Sequence, residues 1–325
     1  MEVRQLGSDG LRVPEIGLGC WQLGGGWSND WNDAIAQQTL ETAYQAGVRF
    51  IDTADVYGDG ASERSIGQFL RSRPDLTVAT KLGRAGIYPD QYSRATLREA
   101  TLRSLDRLGL EQLDLTQLHC VPTEVLRRGE VFEWLRELRQ EGLIKRFGAS
   151  VESVEEGLIC LEQDGLTSLQ VIFNIFRQKP LEALLPRAAG KGVGIIVRLP
   201  LASGLLSGKI TRATTFREDD HRHFNRDGQQ FNVGETFAGL ELDKGIGLAE
   251  QVARLVPPSM SMAQMALRWI LDQPAVSVVI PGASSPGQVQ ANVSAAALAP
   301  LPEALHQQLA SLYREQVSPL IRGPY

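Results

Sequence analysis

Along most of the chain, short apolar runs alternate with longer segments in which apolar residues recur every three or four positions. The runs fall near residues 16–21, 48–52, 76–81, 113–119, 146–150, 168–174, 193–200 and 276–281. Each has the length of one buried strand, and the segment after it has the spacing of an amphipathic helix. Eight such units predict an α/β protein built as a parallel (β/α)8 TIM barrel rather than an open doubly wound sheet. Ala34 to Ala46 is one of the predicted helices, and it stops at Gly47, a residue suited to the left-handed turn that ends a helix. Ahead of the first unit, Glu2 to Val13 reads as an N-terminal β-hairpin turning at Ser8, Asp9 and Gly10.

Two segments depart from the repeat. After the seventh strand about forty residues, including 211–239, precede a helix beginning near Leu240, too long for a plain connector and read as a functional flap over the catalytic face. At the other end, Leu301 to Tyr325 gives one more helix, Pro302 to Gln316, and an irregular tail expected near the same mouth. No linker-like or low-complexity stretch divides the chain, so residues 1–325 are expected to form a single domain.

Composition narrows the partners. At 325 residues, 43% hydrophobic and 22% charged, the chain is an ordinary globular sequence with material for a large core. A net charge of -5 argues against a nucleic-acid partner. Arg and Lys gather locally, as in Phe216 to Arg226, but Glu218, Asp219 and Asp220 sit among them, so the run reads as a solvated loop. Cys20, Cys120 and Cys160 make an odd number with no paired spacing, which favours a reducing compartment over a disulfide framework. No segment is suited to secretion and none reaches about 18 uninterrupted apolar residues, so a cytoplasmic location away from membranes is expected. His221 and His223 stand two apart without a third ligand, and no metal site is expected. The pattern specifies neither a monomer nor an oligomer.

Phosphate-binding motifs fail on inspection. Gly17-Leu18-Gly19 runs into Cys20, Trp21 and Gln22, and Gly192-Val193-Gly194 into Ile195, Ile196 and Val197, so neither completes a dinucleotide fingerprint. Gly204 to Lys209 is one residue short of a P-loop and has no Ser or Thr after its lysine.

The chemistry concentrates between Phe50 and Glu63, FIDTADVYGDGASE. Asp52 closes an apolar run and Tyr57 follows five residues later, ahead of a helix that Ser62 is expected to cap. Lys81 ends the next run and His119 the one after, at separations of 29 (52 to 81) and 38 (81 to 119) residues. Each separation matches one strand-helix unit, so the three should end adjacent strands about 4.8 Å apart at the C-terminal mouth of the barrel. Singly, each is an ordinary loop or core residue. Together they form a set with a purpose. A phenol is a weak acid, with a pKa of about 10. A neighbouring ammonium favours the phenolate, a carboxylate holds the ammonium, and an imidazole can bond the same substrate oxygen. The set is a proton donor for an oxygen gaining negative charge, as in carbonyl reduction and its reverse. Trp21 and Trp27, after the first strand, are candidate walls of the substrate pocket beside Tyr57 and His119.

DTADVYGDGASE, the lysine of VATK, QLHC and the late IPGASSPGQVQAN occur in an order and spacing that resemble the aldo-keto reductase family over nearly the whole chain. The resemblance implies a (β/α)8 barrel, a nicotinamide cofactor bound without a Rossmann domain, and four catalytic residues. Tyr57 would be the general acid/base, Lys81 and Asp52 its tuning pair, and His119 the group that orients the carbonyl. Ser150 and Gln170 match the positions that bond the nicotinamide carboxamide, although the Asn that usually follows the serine is Val151 here. Arg198 stands where many members stack an aromatic ring on the nicotinamide. A guanidinium plane can stack too, but it adds positive charge near a ring that becomes cationic on oxidation. Pro200 to Lys209 resembles the pyrophosphate loop, with Leu201, Ser203, Leu206 and Lys209 as contacts and Gly204 giving the backbone room. Gly282 and Gln288 stand where NADP-specific members place cations, with Ser284, Ser285 and Asn292 nearby. The resemblance thus implies an NADP(H)-dependent reductase of aldehydes and ketones, with NAD as the alternative cofactor. An NAD-dependent sugar (aldose) dehydrogenase and a cofactor-binding regulatory subunit are the rival functions. A lyase or isomerase using Lys81 as a Schiff base would leave Tyr57 and the cofactor loops without a role.

Overall fold

The structure is a computed structural model and describes residues 1–25 and 32–325; Trp27 lies outside the described residues. Strands β1 (Val3–Gln5) and β2 (Arg12–Pro14) pair antiparallel as the expected hairpin. Eight strands then follow in chain order: β3 (Leu18–Gly19), β4 (Phe50–Asp52), β5 (Thr77–Leu82), β6 (Leu115–His119), β7 (Phe147–Ser150), β8 (Leu166–Ile172), β9 (Gly194–Arg198) and β10 (Val276–Val279). They form one parallel sheet in which each pairs with its sequence neighbours. Parallel bridges from Ile16 to Val279 and from Gly19 to Gly282, with Gly17 N–H donating to Val279 O at 2.9 Å, join the first strand to the last and close the barrel. The predicted (β/α)8 barrel is the observed one.

Strand alternation decides what fills it. Phe50, Ala79, Leu115, Ile196 and Val278 form an apolar cluster with Leu6 and Val13 of the hairpin, so the hairpin stops the N-terminal end. Two residues further along the same strands stand Asp52, Lys81, Gln117 and Arg198, on the same face because side chains repeat with a period of two. The interior therefore changes from apolar to charged within one layer, and the charged layer faces the C-terminal mouth.

Some local expectations change. The helix after β4 spans Ala61–Leu70 and is preceded by Gly60 in the left-handed region, φ 78°, so Ser62 is not its cap. Ser62 instead falls in the first turn against the barrel, where its hydroxyl donates to Cys20 O at 2.9 Å and shares a 2.8 Å hydrogen bond with Thr53 Oγ1. The reason is register: the helix starts one residue early, and the carbonyl leaving β3 needs a buried donor. The long loop is irregular, with a short helix at His221–Phe224 and 3-10 turns at Val233–Glu235 and Phe237–Gly239, and the next helix starts at Leu242. The last helix, Glu303–Leu312, loosens into a π turn over Tyr313–Val317. Beyond it the Arg322 guanidinium donates to Gly239 O, Leu240 O and Asp227 Oδ1 at 3.0, 3.1 and 2.7 Å, clamping the far end of the loop. Among the described residues no helix is long and apolar enough to cross a membrane.

The contact between hairpin and barrel is testable. A Cβ at Gly194 would sit 2.4 Å from Leu6 Cδ1 and 2.8 Å from Gly7 N, whereas one at Gly190, in the helix Leu184–Gly190, meets nothing within 4 Å. We expect Gly194→Ala to cost about 2 kcal/mol of stability in urea unfolding, as overpacking does. Gly190→Ala should be neutral or stabilise by about 0.5 kcal/mol. Equal effects at the two sites would show that the hairpin does not pack as tightly as these distances state.

Candidate active site

Lys81 comes from the C-terminal end of β5 and is 1% exposed. Its ammonium donates to Asp52 Oδ1 at 2.5 Å, Thr53 O at 2.8 Å and Tyr57 Oη at 3.1 Å, which uses all three protons. The second carboxylate oxygen of Asp52 accepts from Gln117 Nε2 at 3.0 Å and Gln170 Nε2 at 2.7 Å. Burial disfavours the charge on Lys81, but Asp52 and Tyr57 outweigh it and hold the ammonium above the ordinary lysine range. Four strands thus converge on one ion pair, and the ion pair holds one phenol.

The phenol departs from expectation in one respect. Burial pushes Tyr57 above the ordinary tyrosine value; Lys81 pulls it down as foreseen, while Asp52 pushes against Lys81. The lowering by the ammonium is real and smaller than the effect of burial. His119 lies edge-on to the Tyr57 ring, with centroids 5.8 Å apart and planes at 84°. Burial, then Arg84, Lys81 and Arg198, hold its pKa well below that of ordinary histidine, so the imidazole is neutral at neutral pH.

Trp21 stacks beside Tyr57 with centroids 6.0 Å apart. Its other faces meet His221 at 5.0 Å and Phe231 at 6.2 Å, both from the long loop. The loop therefore completes an aromatic rim around the phenol. Nothing in the sequence beyond the loop's length pointed to His221 or Phe231, because pairing across a fold-back has no periodic signature.

A second charged cluster, also absent from the sequence reading, lies on the other side of His119. Arg84 Nη2 is 3.1 Å from Glu152 Oε1, and Arg84 Nε donates to His119 O at 3.2 Å. Arg198 Nη1 is 3.3 Å from Glu235 Oε1, while its Nη2 donates to Val151 O at 3.2 Å. Cys120, Glu152 and Glu235 bring three potential metal-ligand atoms within 4.8 Å of one another. Two guanidiniums already supply the positive charge there.

The residues expected to hold a cofactor are sorted by their existing bonds. Ser150 and Gln170 are paired neighbours on β7 and β8. Ser150 Oγ meets the Cys120 sulfur at 3.7 Å, and the Gln170 amide hydrogens go to Asp52 and to Gln117 Oε1, leaving the Gln170 carbonyl oxygen. A hydroxyl donor and a carbonyl acceptor side by side are the complement of a primary amide, so the pair fits a carboxamide. In the run from Pro200, which is itself buried, the Ser203 hydroxyl donates to Glu235 O and accepts from Phe237 N–H, both at 3.1 Å. Leu206 is fully buried in the core, Leu201 is half-buried and Lys209 is exposed. The side chains of Ser203 and Leu206 are thus committed elsewhere, and these positions have their backbone to offer. Gly282, Ser284, Gln288 and Asn292 do come together. Gln288 Oε1 accepts from Ser284 N–H at 2.8 Å, and Asn292 Nδ2 donates to Gly282 O at 3.3 Å. They surround the start of the helix Pro286–Ser294, where Pro286 has no N–H and the Gln288 and Val289 amides are already bonded to Ser285. A Cβ at Gly282 would lie 2.4 Å from Gln22 Oε1, so no longer side chain fits at that position without moving Gln22.

A model of the aldo/keto reductase family matches residues 15–314. An oxidoreductase of Bacillus subtilis, YqkF, described as uncharacterized, is 32% identical over 305 residues, covering 91% of either chain. The NADH-specific methylglyoxal reductase of Escherichia coli is 30% identical over 311 residues, covering 89% of this chain and 92% of its own. Among solved structures, the glycerol dehydrogenase AKR11B4 from Gluconobacter oxydans superposes with a TM-score of 0.79 at 28% identity, covering 99% of this chain and 98% of that one.

One acid of the same loop stands outside these clusters. Asp55 is buried, and neither carboxylate oxygen has a hydrogen-bond partner among the described residues. Burial, then Glu63, push its pKa from 3.8 up to about 7, against Arg107. A folded-state value above the unfolded one means that its contribution is complete below about pH 3.9 and is lost as pH rises through about 7. We therefore expect Asp55→Asn to match the parent near pH 4 and to be more stable by about 2–4 kcal/mol at pH 8, in urea unfolding followed across that range. A difference that does not change with pH would mean that Asp55 is ionised throughout.

Proposed function

The chain belongs to the aldo/keto reductase family, oxidoreductases that act on carbonyl and alcohol groups with NAD(P)H, and from that membership we propose that it reduces small aldehydes and ketones to alcohols with NADP(H), Tyr57 serving as proton donor. The observation that carries this reading is the 3.1 Å hydrogen bond from Lys81 to Tyr57 Oη, made by an ammonium whose other protons are taken by Asp52 and Thr53. A reduced nicotinamide, when bound, would supply the hydride. As the carbonyl carbon receives it, the oxygen gains negative charge and takes the phenolic proton, giving the alcohol and a phenolate. Lys81 stabilises that phenolate, and Asp52 keeps Lys81 in place. His119, neutral, can hydrogen-bond the same oxygen without competing for the proton. Ser150 and the carbonyl of Gln170 would hold the carboxamide, and the Ser284 to Asn292 cluster the adenosine end. The rim of Trp21, His221 and Phe231 suits a small substrate, and the names of the glycerol dehydrogenase and methylglyoxal reductase relatives both point to three-carbon compounds.

NAD(H) is a second reading, and a specific observation favours it. None of Gly282, Ser284, Gln288 and Asn292 is a cation, Gln22 occupies the space a side chain at 282 would need, and the Escherichia coli relative is NADH-specific by name. A 2′-phosphate would be bound by hydroxyls and amides alone.

We expect purified protein to oxidise NADPH with an aldehyde and ketone panel, and Tyr57→Phe to lower kcat by about a thousandfold, as loss of a general acid does. Its cofactor affinity, from fluorescence titration, should stay within about twofold, because the phenol acts on the substrate oxygen. Full activity in Tyr57→Phe would remove the tyrosine from its role, and a wild-type protein that binds neither cofactor would remove the reading altogether. Comparing kcat/KM should favour NADPH over NADH by about tenfold, the worth of one good hydrogen bond to phosphate. The reverse order would make NAD(H) the cofactor.

A further inference from the structure

We propose that Glu235, delivered by the long loop, is a positioning residue that fixes the Arg198 guanidinium and cancels its charge, so that the loop sets how tightly the oxidised cofactor binds relative to the reduced one. This rests on the function proposed above and on Arg198 standing at the position where related reductases stack a ring on the nicotinamide. Three features carry it.

The first is how firmly Glu235 is placed. Its turn, Val233–Glu235, is capped by Asn232, whose Oδ1 accepts from Gly234 N–H at 2.7 Å and whose Nδ2 donates to Glu152 Oε2 at 3.0 Å. The Ser203 hydroxyl bridges Glu235 O and Phe237 N–H. Phe237 and Ala238 follow with φ of 51° and 59°, a left-handed conformation that non-glycine residues adopt only where tertiary contacts hold it.

The second is which part of Arg198 is used. Nη1 faces Glu235, and Nη2 donates to Val151 O and to the Cys120 sulfur at 3.5 Å. Guanidinium N–H groups lie in the plane of the group, so these partners engage its edges rather than its faces. A carboxylate on the edge is thus compatible with a ring on the face.

The third is charge. Glu235 lies 3.3 Å from Arg198 and 4.0 Å from Arg84, and its side chain is 12% exposed. Arg198 and Arg84 hold its carboxyl ionised against burial, while Glu152 is pushed upward, so Glu235 is the firmer of the two negative charges. An oxidised nicotinamide is a cation and a reduced one is neutral. Removing the Glu235 charge therefore leaves the reduced form almost untouched and sets the oxidised form against an uncompensated guanidinium.

The experiment is fluorescence titration of wild type, Glu235→Gln and Arg198→Gln with NAD⁺, NADH, NADP⁺ and NADPH, read as the ratio of oxidised to reduced Kd. Glu235→Gln should raise that ratio about tenfold, the size expected for one charge a few ångströms away in a partly buried site. Arg198→Gln should lower it, and the double variant should return it toward wild type. A ratio within twofold of wild type in Glu235→Gln, with both forms weakened alike, would reduce Glu235 to a loop anchor and overturn the proposal. A shift in the same direction in Arg198→Gln overturns it as well, independently of whether Glu235→Gln folds. Wild-type protein that binds none of the four would instead sink the function on which the proposal rests.

Discussion

An ammonium buried in the middle of a barrel must be neutralised and fully hydrogen-bonded, or its desolvation outweighs what the surrounding core supplies. Lys81 satisfies that constraint with a carboxylate, a main-chain carbonyl and a phenol. Much of the interior follows from it. Asp52 must end β4 to reach the ammonium, and its second oxygen then needs donors, which Gln117 and Gln170 provide from β6 and β8. The apolar layer beneath and the hairpin below it exclude water from the far side of the pair. A phenol bonded to so constrained a cation has little freedom of its own, and the positioning of Tyr57 is a consequence of the ion pair.

The other half of the mouth is organised by the same requirement, with the loop as the source of charge. Arg84 and Arg198 point two guanidiniums toward His119, and Glu152 and Glu235 answer them. The net result is an imidazole kept neutral by burial first and by the neighbouring cations after it, beside guanidiniums that are themselves largely balanced. Aromatic contacts at Trp21 hold the middle of the same loop and the clamp of Arg322 its far end. A loop that supplies both charge and pocket wall couples substrate shape to the electrostatics of the cofactor face.

How much of this the sequence shows depends on whether a residue sits on a periodic element. Asp52, Lys81 and His119 end strands, and strand spacing in a barrel of repeated units converts chain separation into proximity, so their convergence was readable. So were the hairpin and the closing of the barrel. Ser62 was misread because a one-residue change in helix start turns a capping hydroxyl into a buried one. Leu206 and Ser203 were read as ligand contacts from their place in a motif, which does not say that their side chains turn to the core and to the Glu235 turn and leave the main chain to face outward. Glu235 and Phe231 left no trace, and His221 stood out only beside His223 as a metal pair without a third ligand, since the partners of loop residues are chosen by a fold-back that periodicity does not encode. The pKa of Tyr57 failed for a related reason: the neighbouring charge is visible in sequence, whereas the depth of burial that outweighs it is a property of the packed mouth.

That last point bears on the direction in which the proposed chemistry runs most readily. A proton donor to a forming alcohol has only to be a stronger acid than the alcohol, and a phenol remains so even when burial raises its pKa. Raising it keeps the proton on Tyr57 until the substrate oxygen acquires charge, which serves reduction at neutral pH. Alcohol oxidation needs the phenolate instead, and here that form is favoured by Lys81 but opposed by burial and by Asp52. Asp52 therefore has two opposing effects: it holds the ammonium that stabilises the phenolate, and its own charge works against that phenolate. Burial first, and Asp52 after it, oppose the phenolate that Lys81 favours, so the carboxylate that fixes the geometry also helps to keep the proton on Tyr57.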